Sequence, residues 1–231
     1  MLIHCLFEQS GTFKNQFKKL GYNALDYDIK NDFFQTDIVI DLFSEIKKAY
    51  CFQDSIFDSF QIGDLVLAFF PCVRFEDQIQ MHFRGTAFQY KNYTLLQKLH
   101  LDLQLDDDLH DNYQCITMLA IVCLRKNFKL IIENPYSSTH YLTKYWCIPA
   151  TIIDKNRRDM GDYFIKPTQY WFINCNPSNN LVVDPIVINK KYTVNHNPCI
   201  LSNNREVSRS LISSEYAARF IKTYILGGVL C

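Results

Sequence analysis

Glycine, proline and excess charge of either sign are all scarce in this sequence. Seven glycines in 231 residues leave little material for long flexible linkers. Lysine plus arginine equals aspartate plus glutamate, 24 each, so the formal net charge is zero. A chain without a global basic field has no general attraction for nucleic acid, and such a partner would need a local patch. A small-molecule substrate would need no such basic patch.

Long apolar runs and paired cysteines are missing as well. No stretch approaches the roughly 18 apolar residues of a membrane span, and the opening MLIHCLFEQSG lacks the basic start and long apolar core of a secretory leader. The nine cysteines are scattered without a CxxC pair. We therefore expect reduced thiols, a cytoplasmic location and no membrane partner. The segment HNPC, with His196 and Cys199, is only half of a zinc-site pattern, so we expect no metal.

What the sequence does contain is apolar and aromatic. Hydrophobic residues make up 48% of the chain, with 18 Phe and 14 Tyr, which is enough for a substantial core. We expect a single domain over residues 1–231, with an irregular excursion around 176–209 and no clear target-recognition domain.

Apolar runs alternate with helical patterns along this domain. Six runs are predicted as strands: MLIHCLF, YNALDYDI, TDIVIDLF, DLVLAFFPC, FKLIIENP and PTQYWFINC. The predicted helices are KNQFKKLG, a segment that begins at Ser44, one or two helices between Tyr93 and Asn127, and SSEYAARFIKTYIL. This alternation is typical of βαβ units and predicts an α/β fold with a mostly parallel sheet flanked by helices.

Polar groups follow five of the predicted strands. The strand ends read FEQSG, LDYD, VIDL, FPC and IENP, so four carry acids and one carries a thiol. Ligands of an open parallel sheet bind outside the carboxyl ends of its strands. We therefore expect these five ends to share one rim, and packing alone does not account for that coincidence.

The thiol in LVLAFFPC admits two interpretations. Cys72 is a nucleophile if its thiolate is favoured, or a small buried hydrophobe beside a strand-ending proline. Glu133 in LIIENPY directly follows a buried strand, where desolvation raises a carboxyl pKa and makes the group an acid. Its alternative is a structural glutamate that binds backbone amides.

The first three strand ends suit a nucleoside-like ligand. A glycine turn after the first strand lets a ligand approach backbone amides and a helix N-terminus. An acid after the second strand accepts hydrogen bonds from a ribose diol. Asp26 and Asp28 are both candidates, because residues two apart on a strand point the same way. Each acid taken singly is equally well an ordinary solvated aspartate or helix cap.

The order of these motifs resembles the cytosine-5 DNA methyltransferases, especially their short phage forms. CLFEQSGTFKNQFKKLG resembles the cofactor loop of that family, LDYD its ribose-binding strand end and IDL its adenine-contacting segment. FFPC is similar to the Pro-Cys nucleophile motif and IENP to the Glu-Asn motif. KPTQYWF and SRSLISSEYAARFI are similar to a strand and a closing helix of the phage forms. The resemblance covers most of the chain and implies a Rossmann-like methyltransferase fold.

The resemblance also implies roles for individual residues. Phe7 and Tyr27 would pack on the adenine of S-adenosyl-L-methionine, and Gly11 would form the loop under its methionine part. Asp26 would bind the ribose and Asp41 the adenine amino group. Cys72 would attack C6 of cytosine while Glu133 bonds the base at N3 and its exocyclic amine. DNA or a nucleotide would be the substrate, and a duplex would require base flipping.

The sequence departs from the family pattern at several motifs. Gln9 and Thr12 stand where the cofactor loop usually has glycine, and Val73 follows the nucleophile where glutamine is usual. The paired arginines of the family fall on Pro167 and Gln169, with Lys166 as the nearest positive charge. The alternative function is therefore a catalytically degenerate module with the methyltransferase fold, which binds a nucleotide, nucleic acid or partner protein. An enzyme that acts on a free nucleotide is a third possibility.

Overall fold

The computed structural model describes residues 1–186, 192–193 and 211–229 and has an α/β fold built on a mostly parallel sheet. The seven strands of this sheet are β1 (Ile3–Leu6), β2 (Ala24–Asp28), β3 (Ile38–Val39), β4 (Leu65–Phe69), β5 (Lys129–Pro135), β6 (Ile152–Asp154) and β8 (Thr168–Ile173). Their order is β3-β2-β1-β4-β5-β8-β6. A separate parallel pair consists of β7 (Phe164–Ile165) and β9 (Tyr192–Thr193).

The first five strands of the sheet run parallel, as the alternation of strands and helices predicts. β8 lies antiparallel to both β5 and β6, a direction that the sequence pattern does not encode. The chain moves outward from β1 to β2 and β3, then crosses back to β4 and β5 on the other side. The strand order therefore reverses between β1 and β4, and a crevice at their carboxyl ends is the expected ligand site.

Six α-helices accompany the strands in the described residues. They are α1 (Thr12–Lys19), α2 (Leu42–Tyr50), α3 (Ile79–Phe83), α4 (Leu95–Arg125), α5 (Tyr141–Tyr145) and α6 (Ser214–Phe220), which continues into a π-helical turn at Ile221–Ile225. None of the described helices combines the length and apolar character that a bilayer crossing needs.

The sheet separates two apolar cores. Leu6, Val66 and Leu130 point to the face covered by α2 and α4, while their neighbours in the strands point to the face covered by α1 and α6. Both faces of β1, β4 and β5 are buried, which explains why β4 is continuously apolar and the other two strands are mostly apolar.

Helix ends follow local side-chain chemistry. Asp41 caps α2 by accepting from the backbone N–H groups of Phe43 and Ser44, so the predicted third strand ends early and its helix begins at Leu42 rather than Ser44. The predicted long helical stretch is one helix of 31 residues, opened by a capping box between Thr94 and Gln97. Gly21 follows α1 with φ of 86°, a conformation that glycine adopts without strain.

The excursion predicted around 176–209 lies largely outside the described residues. Within its described part, Ser178 and Asn180 hydrogen-bond to backbone groups of the π-helical turn after α6. His196 and Cys199 are outside the described ranges.

Candidate functional site

A cavity of about 440 Å³ opens at the carboxyl edge of the parallel strands. Residues at the carboxyl ends of β1, β2, β4 and β5, or directly after them, line it, as the strand ends predict. Its walls include Phe7, Glu8, Gln9, Asp28, Ile29, Asp41, Phe43, Phe70, Cys72, Glu133 and Lys166, with Leu211 and Ile212 beside them. The volume lies within the range of roughly 300–1,000 Å³ that is usual for small-molecule sites.

Cys72 lies at the cavity wall after β4 and begins a turn directly after Pro71. Its thiol donates a hydrogen bond to Glu76 Oε1 at 3.0 Å. Burial, together with the nearby Glu76 and Glu133, raises the pKa of Cys72 to about 12, although Lys166 acts in the opposite direction. The resting side chain is therefore a protonated thiol, and any nucleophilic role needs a group that removes the proton.

Glu133 lies opposite, at the carboxyl end of β5, and only 7% of its surface is exposed. Burial raises its pKa, while Lys166 and Arg157 act in the opposite direction. Arg157 Nη1 lies 3.9 Å from Glu133 Oε1 and makes no hydrogen bond within the described part of the chain. A carboxyl group held toward its protonated form can donate a hydrogen bond as well as accept one.

Phe7 and Asp41 are also at the cavity, as the sequence predicts. Phe7 has φ of 59°, unusual for a residue other than glycine, and its ring meets Phe70 edge-on at 5.1 Å between centroids. Asp41 uses Oδ1 for both of its bonds to the start of α2. Its Oδ2 accepts no hydrogen bond from the described residues, which leaves that oxygen available to a ligand.

Asp26 and Tyr27, in contrast, do not line the cavity. Asp26 is fully buried, and its Oδ1 accepts from Lys14 Nζ at 2.9 Å and from the Asp37 backbone N–H at 2.7 Å. The Tyr27 hydroxyl bonds to His4 at 2.8 Å on the opposite side of the strand. Asp28 is the acid of this strand that reaches the cavity, and burial raises its pKa.

The turn after β1 carries a buried acid rather than open amides. Glu8 accepts from the backbone N–H groups of Phe13 and Lys14 at the start of α1, and burial raises its pKa to about 7. The N-terminus of α1 is therefore already occupied, contrary to the expectation that a ligand would approach it. Gly11 caps α1 with φ of 64° and lies outside the cavity lining.

Gln9 forms part of the cavity wall, at a position where the family that the sequence resembles has glycine. It lines the cavity, and its buried Oε1 has no hydrogen-bond partner among the described residues. Buried polar atoms are nearly always paired, so this oxygen suits a donor that a ligand brings.

Several residues of the site escaped the sequence reasoning. Glu76 is four residues beyond the thiol, and only the turn after Pro71 brings it back to Cys72. Arg157 approaches Glu133 from the segment that follows β6, far from any strand end of the parallel set. Lys166, the positive charge nearest to the positions where the resemblance implies two arginines, lines the cavity.

Comparisons with known proteins do not assign the chain to a family. No protein-family model matches the sequence, and no curated protein resembles it closely enough to count as a match.

Over the described ranges, no group of three or more His, Cys, Asp or Glu side chains is arranged to hold a metal ion.

Proposed function

We propose that this chain is an S-adenosyl-L-methionine-dependent methyltransferase that modifies cytosine in DNA through a covalent bond to Cys72, and that its α/β sheet belongs to the Rossmann-like methyltransferase class. One observation carries the proposal: Cys72 and Glu133, from two neighbouring strands, line the same cavity as Phe7, Asp28 and Asp41. A nucleophile, an acid and nucleoside-binding groups in one cavity match the needs of base alkylation.

The residues around the cavity fit the proposed cofactor. Phe7 and Phe43 offer aromatic surface for an adenine, and Asp28 offers a carboxylate for a ribose diol. Asp41 Oδ2 and Gln9 Oε1 are acceptors without donors in the described chain, which suits the amino groups of such a ligand. Asp28 thus takes the part that the resemblance gives to Asp26. When bound, S-adenosyl-L-methionine supplies an electrophilic methyl group.

The protein's own groups would act on the base as follows. Cys72 Sγ loses its proton and bonds to C6 of cytosine, and the C5–C6 electron pair moves toward N3. Glu133, which burial holds toward its protonated form, donates to N3 and stabilises the charge that develops there. After C5 is methylated, a water molecule takes the C5 proton, the Sγ–C6 bond breaks to restore the thiolate, and the N3 proton returns to Glu133. Lys166 adds a positive charge beside both residues.

DNA fits the proposal as the macromolecular substrate. A cytosine inside a duplex cannot reach a thiol on a cavity wall, so the base would be flipped out of the stack. The zero net charge makes single strands or short sites, held by lysines at the rim such as Lys30 and Lys166, the more accessible substrates.

The test uses the purified chain, a cytosine-rich oligonucleotide and radiolabelled cofactor. Cys72→Ser abolishes label transfer, while Cys51→Ser, which changes an exposed thiol, leaves it unchanged. An oligonucleotide that carries 5-fluorocytosine gives a covalent complex with the parent chain, because the C5 fluorine cannot be eliminated, and none with Cys72→Ser. Label transfer that survives in Cys72→Ser contradicts the nucleophile assignment.

A second candidate function is a binding module with this fold but without turnover. The observations that favour it are the side chain of Gln9 in the cavity wall and the raised pKa of Cys72. Calorimetry with S-adenosyl-L-methionine helps to distinguish the methyltransferase from the binding module. If the cofactor does not bind, the cavity takes another ligand. Binding without label transfer to any cytosine substrate favours the module.

A further inference from the structure

The turn after β4 folds an acid back over the candidate nucleophile. The backbone N–H groups of Phe75 and Glu76 both donate to the Cys72 carbonyl oxygen, at 2.8 and 3.2 Å. Phe75 is fully buried against Phe70 and Tyr141, which anchors the turn in the core. The contact between Cys72 Sγ and Glu76 Oε1, at 3.0 Å, is therefore built into the backbone geometry rather than formed by two free side chains.

The neighbouring ionisable groups are committed elsewhere. Asp77 accepts from the hydroxyls of Ser137 and Thr139. Arg74 is paired with Asp108 at 2.6 Å. His140 contacts Gln169 through Nδ1, and burial lowers its pKa to about 4. Of the two groups that face the thiol across the cavity, Lys166 is a cation and Glu133 is held toward its protonated form.

We propose that Glu76 is the general base that activates Cys72. This inference rests on the proposed function, because it names the acceptor for the proton that the covalent step releases. As Sγ bonds to C6, the S–H bond breaks and its proton passes to Glu76 Oε1, while the S–H electron pair forms the new bond. When the Sγ–C6 bond later breaks, the carboxylic acid returns the proton to the leaving thiolate. No other reactant is needed for these two transfers.

Glu76→Gln separates a base from a mere hydrogen-bond acceptor. The amide still accepts the thiol hydrogen bond through its oxygen but cannot take a proton. A positioned general base contributes about 10²–10⁴-fold to a rate, so adduct formation with the 5-fluorocytosine oligonucleotide slows by about that factor. Asp77→Asn is the matched control, because it removes a carboxylate one residue away that does not touch the thiol. Its rate stays close to the parent rate, because salt screens an exposed charge that makes no contact with the thiol.

Alkylation of Cys72 by iodoacetamide, resolved by peptide mass spectrometry, gives a second readout that moves the other way. Loss of the Glu76 charge lowers the thiol pKa and speeds alkylation at pH 8. We expect roughly a threefold increase for each unit by which the pKa falls, since a less basic thiolate is also a weaker nucleophile. A base thus produces slower adduct formation together with faster alkylation.

The remaining outcomes separate failure of this inference from failure of the proposed function. If the parent chain forms adduct and Glu76→Gln matches or exceeds it, Glu76 is not the base and the proposed function stands. If the parent chain forms no adduct and transfers no label, the proposed function fails, and the role of Glu76 in it fails too. Slower alkylation in Glu76→Gln means that the variant has displaced the thiol, and this also overturns the assignment.

Discussion

Arg157 offers a decisive test of how the site is supported, because it forms a fully buried ion pair with Asp162. Neither side chain is exposed, and Nε and Nη2 of Arg157 both donate to Asp162 Oδ2. Asp162 Oδ1 accepts from the backbone N–H groups of Tyr163 and Ser213, at 2.8 and 3.0 Å. The pair therefore connects the segment after β6 to the residues that cap α6.

Arg157→Met retains the apolar stem and removes the charge, which strands Asp162 Oδ2 in the core. Loss of one partner of a buried ion pair typically costs about 3–5 kcal/mol. The guanidinium also lies 5.1 Å from the centre of the Tyr216 ring, and loss of that contact adds about 0.5–2 kcal/mol. For a chain of this length, the combined loss of about 3.5–7 kcal/mol lowers the melting temperature by about 7–28 °C.

Equilibrium unfolding in urea, followed by the fluorescence of the buried Trp171, measures the change. Lys47→Met is the control, because Lys47 pairs with Asp111 at the surface and such pairs contribute at most about 1 kcal/mol. Adding Asp162→Asn to Arg157→Met should recover at least part of the loss, since the asparagine oxygen still accepts both backbone amides without an unpaired charge. A loss below about 1 kcal/mol in Arg157→Met would refute the argument that this pair secures α6 to the sheet.

Two further predictions concern acids near the cavity. Burial raises the pKa of Glu8 from 4.5 to about 7, so the stability that this group contributes is fully present below about pH 4.5 and is lost as the pH rises through about 7. Glu8→Gln should remove this decline. The difference between parent and variant stability should change by at most about 3 kcal/mol across pH 4.5–8. Identical pH profiles for the two proteins would contradict the prediction. Asp28→Asn should weaken S-adenosyl-L-methionine binding by roughly 1–3 kcal/mol in calorimetry, whereas Asp26→Asn should lower the melting temperature with little change in affinity. The reverse ranking would return the ribose contact to Asp26.

The parallel part of the fold could be predicted from the sequence because burial on both faces leaves a direct signature. β4 is a continuous apolar run, β1 and β5 are mostly apolar and buried, and helical patterns separate these strands along the chain. The direction of β8 and the existence of β6 could not be predicted. A strand of three residues has too few positions to show a period, and the period of a strand is the same in either direction.

The choice between Asp26 and Asp28 shows where pattern reasoning about the site ends. Residues two apart on a strand point to the same side, so direction alone does not separate the two acids. The side chain of Lys14 on α1 then covers the first acid and leaves the second at the edge of the sheet. No local signal in the sequence says how far along a strand a helix will reach, so the depth of the cavity is a property of packing.

The positions of the positive charges around Glu133 also depend on packing rather than on local sequence. The resemblance implies two arginines beside the start of the segment TQYWFI, but Pro167 and Gln169 stand there. Gln169 donates to the Pro135 carbonyl oxygen instead. Because β6 and β8 are antiparallel, the connection between them folds back beside β5 and brings Arg157 to 3.9 Å from Glu133, while Lys166 enters the cavity wall. The energy of a charge depends on its distance and surroundings rather than on its position in the chain. Two cations from the connection between β6 and β8 therefore act on Glu133, although neither follows a strand of the parallel set.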